Sequence, residues 1–190
     1  MRPQKVDTEV MMQGLMRVLR NRGYDGASLK ELAEATGLKK ASLYHRFPGG
    51  KQEMAEAVLS HMHEWSNQHI HNLLQDKTYP AAERLEQVLQ NVNRLYAGGD
   101  ISCIFRALST EFGLDLFGDQ LERGMRAWIR AFNVLGEDFG FTAELSHRYA
   151  LQTVVEIQGA LVVGKCLAET SVFQRTTEQI RQRYLLSEKS

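Results

Sequence analysis

The chain has 190 residues and no net charge, 23 Lys+Arg standing against 23 Asp+Glu, and that length allows one large domain or a small one joined to a medium one. Its two cysteines, Cys103 and Cys166, have neither a C-x-x-C nor a zinc-ligand spacing, which argues against a disulfide scaffold and for reduced thiols. The opening Met1–Asp7 is polar and charged, and no uncharged apolar run approaches bilayer length, so a cytoplasmic chain without membrane contact is expected.

The zero charge hides an asymmetry. Residues 1–60 hold 10 Lys+Arg against 7 Asp+Glu, and residues 61–190 hold 13 against 16. A basic head on an acidic body suits a nucleic-acid partner, although phosphate contacts require placement as well as number.

Taken in chain order, apolar residues recur at helical steps nearly throughout, as in Val10, Met11, Gly14, Val18 and Leu19, and no sustained two-residue alternation occurs. Glycine and proline breakers predict helices at 6–22, 28–35, 39–46, 50–75, 80–97, 100–112, 118–139, 143–167 and 172–186. The expected fold is all-α with about nine helices. The helices are short before Pro48-Gly49-Gly50 and long after it, which places a small N-terminal domain at 1–50 and a larger helical domain at 51–190. The helix from residue 50 onward is then a mechanical link between them.

The stretch Ser28–Phe47 carries the most chemistry. Ser28 followed by Glu31 is a capping box that starts a helix by satisfying two backbone N–H groups. Gly37 supplies the positive φ of a tight turn, and Leu29, Leu32, Leu38 and Leu43 give two short helices a shared apolar seam. The outer face of the second helix presents Lys39, Lys40, Ser42, Tyr44, His45 and Arg46, a cationic and hydrogen-bonding set suited to a major groove. The same pattern, taken generically, also serves an ordinary αα-hairpin with a solvated face.

The wider string decides between them. Gly23-Tyr24, Ser28-Leu29, Glu31-Leu32-Ala33, Thr36-Gly37-Leu38, Leu43-Tyr44-His45-Arg46-Phe47 and Lys51-x-x-Met54 together resemble the N-terminal domain of the TetR/AcrR family of transcriptional regulators. The Phe47-Pro-Gly-Gly-Lys51 variant resembles its LmrA/YxaF-type branch. The resemblance implies a homodimeric regulator, a repressor, that binds palindromic operator DNA through a helix-turn-helix and releases it on binding a small effector, which the candidate pocket residues below suggest is mostly apolar. It implies that Tyr44, His45 and Lys51 meet the phosphate backbone, that Lys40, Ala41 and Ser42 face bases, and that Ser28 caps its helix against a phosphate. Lys39 stands where the family often has a serine cap, and Ala27 where it often has threonine; Lys39 adds a possible DNA contact. Phe47 and Tyr24 read as packing residues.

Farther along, Trp65, Tyr96, Phe105, Phe112, Trp128, Phe132, His147, Gln152 and Glu156 are the candidates to line an effector pocket, being apolar or aromatic with a few polar members. His61, His63, His69 and His71 raise metal binding, but residues two apart on a helix point away from each other, so no metal site and no cofactor is expected. Gly159–Cys166 imitates a phosphate-binding loop with cysteine in place of its hydroxyl residue; it lies within a helical pattern and lacks the preceding strand that loop needs. No nucleophile elbow or Cys/His signature marks an enzyme. In the last two helices Val154, Ile157, Ala160, Leu161 and Gly164 form one stripe, with Phe173, Ile180 and Tyr184 on another. A symmetric four-helix dimer interface accounts for both stripes, and so does closure of the chain's own core.

Overall fold

The computed structural model describes residues 7–186, leaving the polar opening through Val6 and the last four residues outside the description. Among the described residues there are helices and no strands: α1 (Thr8–Gly26), α2 (Leu29–Thr36), α3 (Lys40–Arg46), α4 (Gly50–Ser66), α5 (Asn72–Gln75), α6 (Ala81–Leu95), α7 (Ile104–Leu108), α8 (Glu111–Asp138), α9 (Ala143–Leu167) and α10 (Ser171–Leu186). A π-turn, Asn67–His71, joins α4 to α5, so the backbone from Gly50 to Gln75 is helical with one π-turn in it.

The chain divides into two compact units, residues 1–63 with 104–121, and residues 64–103 with 122–190. This division does not follow a cut after residue 50. The first turns of α4 bury Met54, Ala55, Val58 and Leu59, and they cluster with the N-terminal helices.

In the first unit α1 begins where the Asp7 carboxylate accepts the Glu9 N–H at 2.7 Å. Its helical path breaks at Gly23 (φ 69°) and resumes to Gly26. Helix α2 has the expected capping box, and it ends on Gly37 in the left-handed conformation (φ 67°), whose N–H returns to Ala33 and Glu34. Leu15, Leu19, Leu32 and Leu43 are fully buried between these helices. At the crossing of α1 and α2 there is no room for a side chain on Gly14, because a Cβ would lie 2.4 Å from the Ala35 carbonyl oxygen. Helix propensity alone favours alanine over glycine by about 1 kcal/mol. Gly14→Ala is nonetheless expected to lose about 1–2 kcal/mol net, because the obstacle is backbone and α2 must shift. A lower urea midpoint with unchanged slope would show it, and a raised midpoint would refute the close crossing.

In the second unit Ile70, Leu74, Leu85, Val88, Val92, Phe132, Leu135, Ile157, Phe173, Ile180 and Tyr184 are fully or almost fully buried. Arg84, only 3% exposed, donates to the Leu74 carbonyl and to Asp138 Oδ2 at 2.9 Å, while Lys77 reaches Asp138 Oδ1 at 3.0 Å. The Asn91 amide donates to the His69 carbonyl within the π-turn at 2.9 Å.

Two helix boundaries differ from expectation. The helix predicted at 100–112 is the short α7, and the one predicted at 118–139 begins at Glu111. Gly113 and Gly118 sit inside α8; a Cβ on Gly113 would fall 2.1 Å from the Leu108 carbonyl oxygen, so this glycine permits close packing of a turn and is no breaker.

The stripe expected at a dimer face is also turned inward. Val154, Ile157, Ala160, Leu161 and Gly164 are buried, as are Phe173, Ile180 and Tyr184, and they close the seam between α9 and α10. A different face of α9 is solvent-exposed and apolar, with Leu151, Val155, Gly159, Val162 and Cys166 at steps of four, four, three and four. Being apolar on two faces, α9 is long and apolar enough by length and composition to cross a membrane, with a mean hydropathy of 1.3 over 18 residues, although 39% of that window is buried within the structure. Its run is nonetheless charged at Glu156 and Lys165.

Candidate nucleic-acid interface

Helices α2 and α3, joined through Gly37 and Leu38, form the helix-turn-helix. Along α3 only Leu43 is buried, so the helix is held by its inner face. Lys39, Lys40, Ala41, Tyr44 and His45 are exposed, and Ser42 is half-buried. Lys39 is the N-cap and makes no side-chain cap bond; a missing cap costs about 1 kcal/mol. Arg46 is exposed but donates to the Met11 sulfur at 3.4 Å, which draws it back toward α1.

Beside α3 an open cleft is lined by Ser28, Tyr44, Gly49, Gly50 and Lys51 among others. It brings together the start of α2, the start of α4 and the end of α3. Gly50 has φ 70°, and a Cβ there would lie 3.5 Å from Tyr44 Cε1, so a glycine conformation seats the tyrosine ring. Helix N-termini carry partial positive charge, and two of them meet here with a lysine.

Two of these residues have partners within the chain. The Ser28 hydroxyl donates to Glu31 Oε2 at 2.8 Å and accepts the Glu31 N–H at 3.2 Å, so its proton goes to a carboxylate rather than to an incoming phosphate. Hydrogen bonds from the Ser28 hydroxyl and backbone, with the Arg22 guanidinium 3.0 Å away, hold the Glu31 carboxyl below the usual carboxylate range. Lys51 Nζ donates to the Tyr24 carbonyl at 2.7 Å, lies 3.5 Å from the Asp25 carbonyl, and sits 4.4 Å from the centroid of the Tyr24 ring. The lysine thus satisfies carbonyls left over at the end of α1. Tyr24 and Phe47, each 8% exposed, pack as expected, and burial followed by the Asp25 and Glu56 charges pushes the Tyr24 phenol above its ordinary pKa.

Residues 12–58 match the family model for bacterial regulatory proteins of the tetR family. Through this domain the chain is similar to regulators of the TetR family. A curated relative, the HTH-type transcriptional regulator LmrA of Bacillus subtilis (strain 168), is 33% identical over 73 residues, which is 38% of this chain; the matched stretch spans only 39% of that relative's length. Among solved structures, a TetR transcriptional regulator from Legionella pneumophila superposes with a TM-score of 0.80 at 19% identity, covering 96% of this chain and 98% of that one. The TetR-family regulator CifR, a cysteine mutant solved with 26-base-pair operator DNA, gives 0.75 at 23% identity over 95% and 98% of the two chains. At these identities the structures establish a shared TetR-family fold.

The residues expected to line an effector pocket fall in both units. Phe105 and Phe112 belong to the first unit, where Phe105 stacks on His63 at 5.7 Å and Phe112 is 51% exposed beside Tyr24. In the second unit Trp128 donates to the Ser66 hydroxyl at 3.2 Å, Tyr96 donates to Cys103 Sγ at 3.5 Å, and Phe132 is fully buried 6.4 Å from Tyr184. Trp65 packs on His69 at 4.8 Å, and Glu156 pairs with Arg183. His147 and Gln152 are exposed on α9. The other histidines of this region have partners of their own: His61 lies 3.7 Å from Glu9, and His71 shares a hydrogen bond with Asn67 at 2.8 Å. Gly159–Cys166 lies within the continuous helix α9.

Proposed function

We propose that the chain is a DNA-binding transcriptional repressor of the cytoplasm, that it grips a palindromic operator as a homodimer, and that a small, mostly apolar molecule bound by the larger helical domain releases it. The observation that carries the reading is the exposed face of α3, where Lys39, Lys40, Ala41, Tyr44 and His45 stand clear of a helix anchored by Leu43, beside a cleft completed by Lys51. One such head reads few base pairs, and a two-fold dimer that sets two heads roughly 34 Å apart is the usual solution.

The exposed stripe Leu151, Val155, Gly159, Val162 and Cys166 supports assembly of two copies. A Cβ on Gly159 would meet nothing within 4 Å, so nothing among the described residues requires a glycine there, whereas a second helix crossing closely would. Release would act through α4 and α8, whose residues belong to both units.

The test is selection of duplexes from a randomised pool, followed by titration of the recovered duplex. Lys40→Ala should weaken binding by about 1–3 kcal/mol and relax preference at one base pair, while Tyr44→Phe should weaken all sequences alike. Urea unfolding of both variants should match that of the parent chain, since both side chains are exposed. A pool that never enriches would overturn the reading and leave a helical ligand-binding protein that does not touch DNA.

A further inference from the structure

We propose that Phe112 and Phe117, in the first turns of α8, are positioning residues for Lys51 and act on it through the ring of Tyr24. The inference rests on the DNA-binding reading, in which Lys51 meets phosphate.

The geometry runs through a single residue. The Lys51 ammonium has its shortest contact, 2.7 Å, on the Tyr24 carbonyl, and it also lies 4.4 Å from the centroid of the Tyr24 ring. Backbone and side chain of Tyr24 therefore both place the cation. The Tyr24 ring in turn meets Phe117 edge-on at 5.2 Å and 74°, and Phe112 at 5.9 Å and 34°. Phe117 is 1% exposed and forms the fixed wall; Phe112 is 51% exposed and forms the outer one. The backbone side is closed as well. Gly23 takes φ +69°, and its Cβ position lies 3.3 Å from the Ala107 carbonyl oxygen in α7, so the kink that aims Tyr24 is fitted to the helix preceding α8.

Lysine carries a long, flexible stem, and a free one would lose much rotamer freedom on engaging a phosphate. Held on Tyr24, it lines the cleft with Tyr44 and Gly50 before any ligand arrives, which is pre-organisation. The side chains that hold Tyr24 are far along the sequence from the reading helix. Any displacement of the first turns of α8 would loosen the Tyr24 ring, and with it the cation.

The experiment uses the full chain and a duplex recovered from a randomised pool. Phe112→Ala, a half-exposed change that leaves the core intact, should weaken binding about fivefold and flatten the salt dependence of affinity toward that of Lys51→Gln. In a Lys51→Gln background it should have no further effect. Tyr24→Leu should behave like Phe112→Ala, and Tyr24→Phe should rescue it. Without DNA, amide hydrogen exchange at Lys51–Met54 should quicken in Phe112→Ala. Additive losses in the double variant, or unchanged affinity and exchange, would overturn the proposal. Should the parent chain enrich no duplex, the DNA-binding reading fails, and unchanged exchange in Phe112→Ala would separately dismiss the link.

Discussion

Val155→Glu is expected to yield a folded monomer that binds the selected duplex about 100-fold more weakly, since tethering two heads is worth that order of affinity. Val155 is 60% exposed in the single chain, so the substitution costs little of the fold itself. Placed across a two-fold axis, however, it buries two like charges in the centre of an apolar stripe, where neither has a partner. Sedimentation should show the halved mass, and circular dichroism an unchanged melt at low concentration. Ile157→Glu makes the contrast: Ile157 is fully buried, so the same charge two residues away should unfold the chain instead of dividing it. A Val155→Glu protein that still sediments as a dimer would remove this face of α9 from the interface.

Asp138→Ala is expected to cost about 3 kcal/mol of stability, because it removes the carboxylate paired with the buried Arg84 guanidinium and leaves it the Leu74 carbonyl and the more distant charge of Asp76. Burial alone would raise the Asp138 carboxyl, but hydrogen bonds and charge from Lys77 and Arg84 outweigh it and hold the group below its ordinary value. Its ionised form therefore favours the folded state. That contribution is complete above the unfolded-state value, near pH 4, and fades as pH falls through the lower folded-state value. Urea unfolding of the parent chain and of Asp138→Asn should accordingly differ by a constant amount near neutrality and converge below about pH 4. Curves that stay parallel into the acid range would show that the carboxylate does not hold Arg84.

The reading head was legible in the sequence because its determinants are local. Ser28 and Glu31 are three residues apart and form their capping box, and Gly37 takes the left-handed conformation its place in the turn demanded. Leu32 and Leu43 are buried as their spacing required, whereas Leu29 and Leu38 are only half-buried. What was hidden depends on partners distant in sequence. Nothing near Lys51 announces that its amine reaches carbonyls 26 and 27 positions earlier. Helix α9 misled for another reason: it is apolar on two faces, and composition cannot say which packs on α10 and which remains outside. Gly113 read as a breaker although it is a contact point, because a glycine needed for space and one needed for a turn are the same letter.

The recognition helix is the least secured element of its unit. It is seven residues long, has no side-chain cap, and buries one side chain along its length. Short helices carry an unfavourable nucleation term that only packing offsets, so α3 should open locally at a free energy well below that of the whole unit. Binding must then complete the helix as well as seat it. Part of the association entropy is set at Lys39, a residue whose side chain could be entirely correct for contact and still leave the reading surface incompletely formed before the encounter.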